Sequence, residues 1–160
     1  MGKVHQAKGS LTTALKLYHK AIEKDEENHE YLESFAILSF KMENPQTAVS
    51  YFLKAIEAAP HIIGLWLKLA KCYYELDYFS ETYDVIHQAT ELFETETSLL
   101  YIEGLCLYKL GKIQSSNELF VLALTTDFEE HKVLFDWDEG VQNIASIVQL
   151  IDQYKHMTNE

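Results

Sequence analysis

Residues 63–89 read IGLWLKLAKCYYELDYFSETYDVIHQA. Trp66, Leu69, Ala70 and Tyr73 punctuate the first half, and Thr82, Ile86 and Ala89 the second. Moved by 34 positions in either direction, the second-half residues meet their own kind. Ala14, Ala48, Thr82 and Ser116 form a ladder of small side chains. Tyr18, Phe52, Ile86 and Phe120 form a bulky one, and Ala21, Ala55, Ala89 and Ala123 another small one. No single helix or strand period produces that step. One supersecondary unit is copied along the chain, the signature of a stacked repeat protein.

The preceding unit carries Leu32, Phe35 and Ala36, then Ala48, Phe52, Ala55 and Pro60; the following one carries Leu100, Gly104 and Leu107, then Ser116, Phe120 and Ala123. This pattern resembles the tetratricopeptide repeat (TPR) family over roughly residues 1–128. The resemblance implies an all-α fold, a right-handed solenoid of antiparallel helix pairs with a C-terminal capping helix. It divides the chain into a partial first unit at 1–28, full units at 29–62, 63–96 and 97–130, and a cap at 131–160. Some positions depart from the family pattern. Ser39 and His5 stand where tyrosine is usual, Glu103 where leucine is, and Glu26, Glu94 and Phe128 where a proline closes the unit.

The spacing has a physical reading beside the resemblance. Small residues belong where two helix axes approach to about 8–10 Å, and a bulky ladder fills the space beside them. A single helix pair cannot bury its own face, so stacking supplies the core. The expected helices are 11–24, 29–42, 45–58, 63–76, 79–92, 97–110 and 113–126. Asn44-Pro45 places an N-cap before a proline at the first helical position. Ser10 is expected to cap the first helix, and Gly9, one repeat multiple before Gly111, to mark a turn.

At the N-terminus, Gly2 aligns with Ala36, so the chain is expected to begin partway through a unit whose first part lies upstream; a degenerate natural start is the alternative. At the C-terminus, residues 138–156 read as one long helix with Asp136 or Asp138 near its cap. Val141, Ile144, Val148 and Ile151 make one apolar stripe, and Ile147, Leu150 and Tyr154 a second. A cap accounts for one stripe. The other is either core or an association surface, which leaves a homo-oligomer through the 138–156 helix open.

Composition excludes several classes. The net charge of −12 repels phosphate backbones, so nucleic acid is not an expected partner. No apolar run approaches the ~20 residues of a membrane span. Cys72 and Cys106 read as buried free thiols, in keeping with a reducing, cytoplasmic setting. The seven histidines fall at no metal-ligand spacing, and neither a phosphate loop nor a nucleophile elbow occurs. No cofactor, metal or catalytic residue is expected.

The resemblance implies that the first helix of each unit lines a concave groove. Three ladders then face it: Lys3, Ile37, Lys71 and Leu105; Gln6, Phe40, Tyr74 and Tyr108; and Glu33, Leu67 and Tyr101, with Lys68 beside the last. The candidate site is therefore Ile37, Phe40, Leu67, Lys68, Lys71, Tyr74, Tyr101, Leu105 and Tyr108, an aromatic trough with a lysine pair. It suits a peptide or partner segment that presents a carboxylate. The competing reading packs the tyrosines between helices and leaves the lysines in water. The asparagine–lysine–arginine clamp by which one TPR subtype grips chaperone C-termini is missing, because Ser34, Ile37 and Ile102 stand at its positions. The expected function is a non-catalytic protein-interaction scaffold; the alternative is a structural or assembly segment of a larger TPR protein.

Overall fold

The computed structural model describes residues 2–157, with side chains described from 9 to 155. Lys3, His5, Gln6 and His156 lie outside the described side chains. Two compact units divide the chain, 1–76 and 77–160. Every regular element among the described residues is helical.

The first unit holds α1 (Gly2–Ile22), α2 (His29–Lys41), α3 (Pro45–Ala58) and α4 (Ile63–Tyr74). Each packs on the next. Helix α2 begins at Asn28, whose side chain accepts a hydrogen bond from the Tyr31 amide at 3.2 Å. Helix α3 begins as expected: the Asn44 side chain accepts from the Thr47 amide at 3.3 Å, and Pro45 opens the helix. Between them Glu43 takes a left-handed φ of 60°. The Asn44 amide then reaches back to the Ser39 carbonyl at 3.0 Å, which satisfies a helix-terminal acceptor. Leu32, Ala36, Ala48, Phe52 and Ala55 form the sealed interior. Ser39 is buried too, its hydroxyl donating to the Phe35 carbonyl at 2.8 Å.

The second unit holds α5 (Phe79–Leu92), α6 (Thr97–Lys109), α7 (Ile113–Thr126), α8 (Val133–Trp137) and α9 (Ala145–Met157). Helices α6 and α7 approach closely because Gly104 has no side chain. A Cβ there would sit 2.9 Å from the Phe120 ring, and the Ser116 hydroxyl already donates to the Gly104 carbonyl at 2.8 Å. Gly111 turns the chain with φ 74°.

The ends differ from expectation. Helix α1 runs unbroken through Gly9 and Ser10. Gly9 has no neighbouring group within 4 Å of where a Cβ would stand, so no close approach forces a turn, and Ser10 lies inside the helix instead of capping it. Residues 138–156 are not one helix. Asp138 is extended, a 3₁₀ turn covers Glu139–Asn143, and Ile144 is extended again before α9. Asp138 does cap, accepting from the Gly140 amide at 2.8 Å, and it also pairs with Lys109 at 2.7 Å. The bends let Leu134, Trp137, Val141, Ile147 and Ile151 all reach the interior. A straight helix presents one face only and could not bury them together.

Candidate functional site

The nine candidate residues do not share one environment. Ile37 and Phe40 are half-buried on α2; Leu67 and Lys71 are half-buried and Lys68 exposed on α4. Tyr74 is buried, with the Lys71 ammonium 5.8 Å from its ring centroid. Tyr108 is half-buried in the second unit. Tyr101 and Leu105, by contrast, have no exposed surface. Both belong to the core of the second unit and leave the candidate site.

The cause lies in α6. Leu99, Tyr101, Ile102, Glu103, Gly104, Leu105, Cys106 and Leu107 are all buried. Helix α8 and the 3₁₀ turn Glu129–Lys132 pack against α6, and the Tyr101 hydroxyl donates to the Asp127 carbonyl at 2.9 Å. Burial, then the charges of Asp127 and Glu130, push that hydroxyl above the ordinary tyrosine range. A helix that is apolar on every side is covered on every side. The run LLYIEGLCL, 99–107, carried that signal.

In the first unit four of the six remaining candidates meet, and Leu67 and Tyr74 do not line their cavity. Ile37, Phe40, Lys68 and Lys71 line a cavity of about 170 Å³ with Lys41, Phe52, Cys72 and Glu75. The floor is apolar, and three ammonium groups stand at its rim. The Lys71 ammonium faces the Tyr74 ring, and Lys68 Nζ lies 2.8 Å from Glu33 Oε1. A carboxylate entering from solvent would compete with Glu33 for it.

A buried carboxylate in the second unit escaped the sequence reading. Glu103 is 5% exposed. His87 Nδ1 lies 2.8 Å from its Oε1, and the Thr90 hydroxyl donates to Oε2 at 3.2 Å. The His87 ring stacks on Tyr83 at 5.4 Å. Burial and then the Glu103 charge raise the Tyr83 hydroxyl. The available signal was an acid on an otherwise apolar ladder, one helix away from a histidine. The thiols are inert: burial pushes Cys72 up to about 11 and Cys106 up to about 12, so little thiolate exists near neutrality. Among the described residues no group of three or more His, Cys, Asp or Glu is placed to hold a metal.

The chain resembles MamA, at 16% identity over 99% of this chain and 95% of that one, with a TM-score of 0.66. It also resembles YrrB, a TPR protein with an unusual peptide-binding site, at 20% identity over 95% and 81% with a TM-score of 0.63. The fold is the tetratricopeptide-repeat fold. A further TPR likeness is the first TPR of Spaghetti (RPAP3), solved with the HSP90 peptide SRMEEVD: 19% identity over 74% and 98%, TM-score 0.55. Among curated proteins, DnaJ homolog subfamily C member 7 of Homo sapiens is 27% identical over 135 residues, 77% of this chain and 27% of that protein. The Mus musculus protein of the same name matches equally. The chain thus spans about a quarter of the length of those relatives. No protein-family model matches.

The cavity lies between α2 and α4, with Phe52 of α3 beneath. No helix among the described residues is long and apolar enough to cross a membrane.

Proposed function

We propose that the chain is a non-catalytic interaction scaffold that holds an acidic peptide segment against α2 and α4. The cavity floored by Phe40 and Phe52 and rimmed by Lys41, Lys68 and Lys71 carries this reading. An apolar side chain of the partner fills the cavity, and flanking carboxylates meet the ammonium groups. The peptide held by the similar Spaghetti domain is acidic. Capture here would differ from a terminal-carboxylate clamp, because Ser34 and Ile37 offer no amide donors at its positions. The sequence contains no arginine, so the lysines act as point charges without bidentate geometry.

The test uses a labelled peptide with one leucine or phenylalanine among glutamates, titrated by fluorescence anisotropy. Lys71→Glu, with its helical circular dichroism unchanged, is expected to weaken binding about tenfold or more. Glu33→Gln is expected to tighten it by releasing Lys68. Equal affinity for acidic and basic peptides, or indifference to both substitutions, overturns the reading.

Self-association through the 138–156 segment, the alternative reading, has less support, with Ile144, Val148, Leu150 and Tyr154 of its stripes keeping part of their surface. That stretch is bent, and Val141, Ile147 and Ile151 from its stripes are buried within the second unit.

A further inference from the structure

The cavity between α2 and α4 constrains more than the charge of what enters it. Phe40 and Phe52 form its floor, and Ile37 and Cys72 complete the apolar lining. Phe52 and Cys72 are each only 3% exposed, while Ile37 and Phe40 are half-buried. None of these four side chains is a strong hydrogen-bonding group; the thiol is a weak donor and a weak acceptor. Lys41, Lys68, Lys71 and Glu75 make up the charged lining, and Glu33 is paired with Lys68. Three ammonium groups against two carboxylates leave the rim positive.

Size narrows the occupant. The cavity measures about 170 Å³. An apolar cavity of about 150 Å³ accepts one benzene ring. The indole of tryptophan is larger than that, and an alanine methyl leaves most of the space empty. Leucine is close in volume to a phenyl ring, so the surroundings must choose between them. Phe40 and Phe52 offer an incoming ring edge-to-face or offset contact. The Cys72 sulfur is soft and polarisable. The ammonium groups gain from an aromatic face that leucine lacks, and the site already shows this preference, with Lys71 Nζ 5.8 Å from the Tyr74 ring centroid. Tyrosine carries the same ring, but pointed inward its hydroxyl would meet Phe52 and Cys72 and lose its hydrogen bonds to water.

Resting on the interaction reading above, we propose that the acidic segment anchors through a single phenylalanine, its ring inserted against Phe40, Phe52 and Cys72, with acidic residues on both sides of it. Lys41 ends α2, and Lys68 and Lys71 lie one turn apart on α4, so ammonium groups border the ring from both helices. The apolar lining selects the ring and the rim selects the flanking carboxylates. Neither recognises the segment alone.

Fluorescence anisotropy with labelled peptides Glu-Glu-X-Glu-Glu tests this, X being phenylalanine, tyrosine, leucine, tryptophan or alanine. The phenylalanine peptide is expected to bind tightest. Leucine and tyrosine are expected to weaken binding about threefold or more, and tryptophan and alanine about tenfold. A peptide with lysines in place of the glutamates around phenylalanine is expected not to bind. Cys72→Leu, with its helical circular dichroism unchanged, fills the cavity; it is expected to erase the difference between the phenylalanine and alanine peptides while acidic peptides still outbind the basic one. Should that variant not fold, the five affinities of the wild-type chain decide alone. Leucine or tryptophan binding as tightly as phenylalanine, or equal affinity for all five, overturns the phenylalanine anchor and leaves the acidic-segment scaffold standing. Failure of every acidic peptide to bind, or equal binding of the basic one, overturns both.

Discussion

Glu103 shows what one residue can do to a repeat. The equivalent positions are Phe35 and Leu69, both buried, and a carboxylate in that slot must be dehydrated. His87 and Thr90 compensate by hydrogen bonding to it. Removing a partner from a buried charge costs more than replacing the charge itself by an apolar group. His87→Ala is therefore expected to destabilise the fold by about 1–3 kcal/mol. Glu103→Leu is expected to be neutral or stabilising, since Thr90 keeps its bond to the Ile86 carbonyl at 2.9 Å and His87 is half-exposed. Urea titrations of the two variants decide; a large loss of stability in Glu103→Leu together with none in His87→Ala would contradict this account. The residue identities were legible in the sequence, but the pairing across α5 and α6 was not, because a lone histidine and a lone glutamate form no spacing motif.

At the scale of elements, two glycines in the same repeat position make opposite demands. Gly111 at φ 74° turns α6 into α7, and an L side chain there is strained. Gly9 sits inside α1, where glycine weakens a helix. Gly111→Ala is expected to lower stability by about 1 kcal/mol and Gly9→Ala to raise it by a similar amount. Thermal melts of both variants check the pair, and a loss of stability in Gly9→Ala would mean that the chain turns there after all. The elements themselves were mostly readable. Asn44-Pro45 opens α3 where its chemistry places it, and α2 to α7 lie close to the spans their apolar spacing predicts. The misreadings cluster where a breaker is absent or ambiguous. Residues 138–156 contain no proline, and their stripes suit a straight helix, yet the chain bends at Asp138 and Ile144. Local periodicity reports which side chains are apolar, and it does not report how many neighbouring surfaces they must reach.

For the whole molecule the unequal distribution of charge matters most. Sixteen acidic residues against four lysines in 77–160 repel one another in the folded state. In dilute solution, salt is expected to raise the melting temperature of the wild-type chain by screening that repulsion, as differential scanning calorimetry at several ionic strengths would show; a flat or falling trend would mean that ion pairs such as Lys109–Asp138 outweigh it. The repeat and its all-helical fold were determined by the sequence alone. The 34-residue step is written in side-chain volume, since small residues must stand wherever two helix axes come close. The residues available to a partner were decided by tertiary structure. Tyr101 and Leu105 lie on the same ladders as Leu67 and Lys71, but the C-terminal segment packs over α6 and takes them into the core. Exposure depends on what covers a surface, and the covering segment is distant in sequence and set by no local pattern.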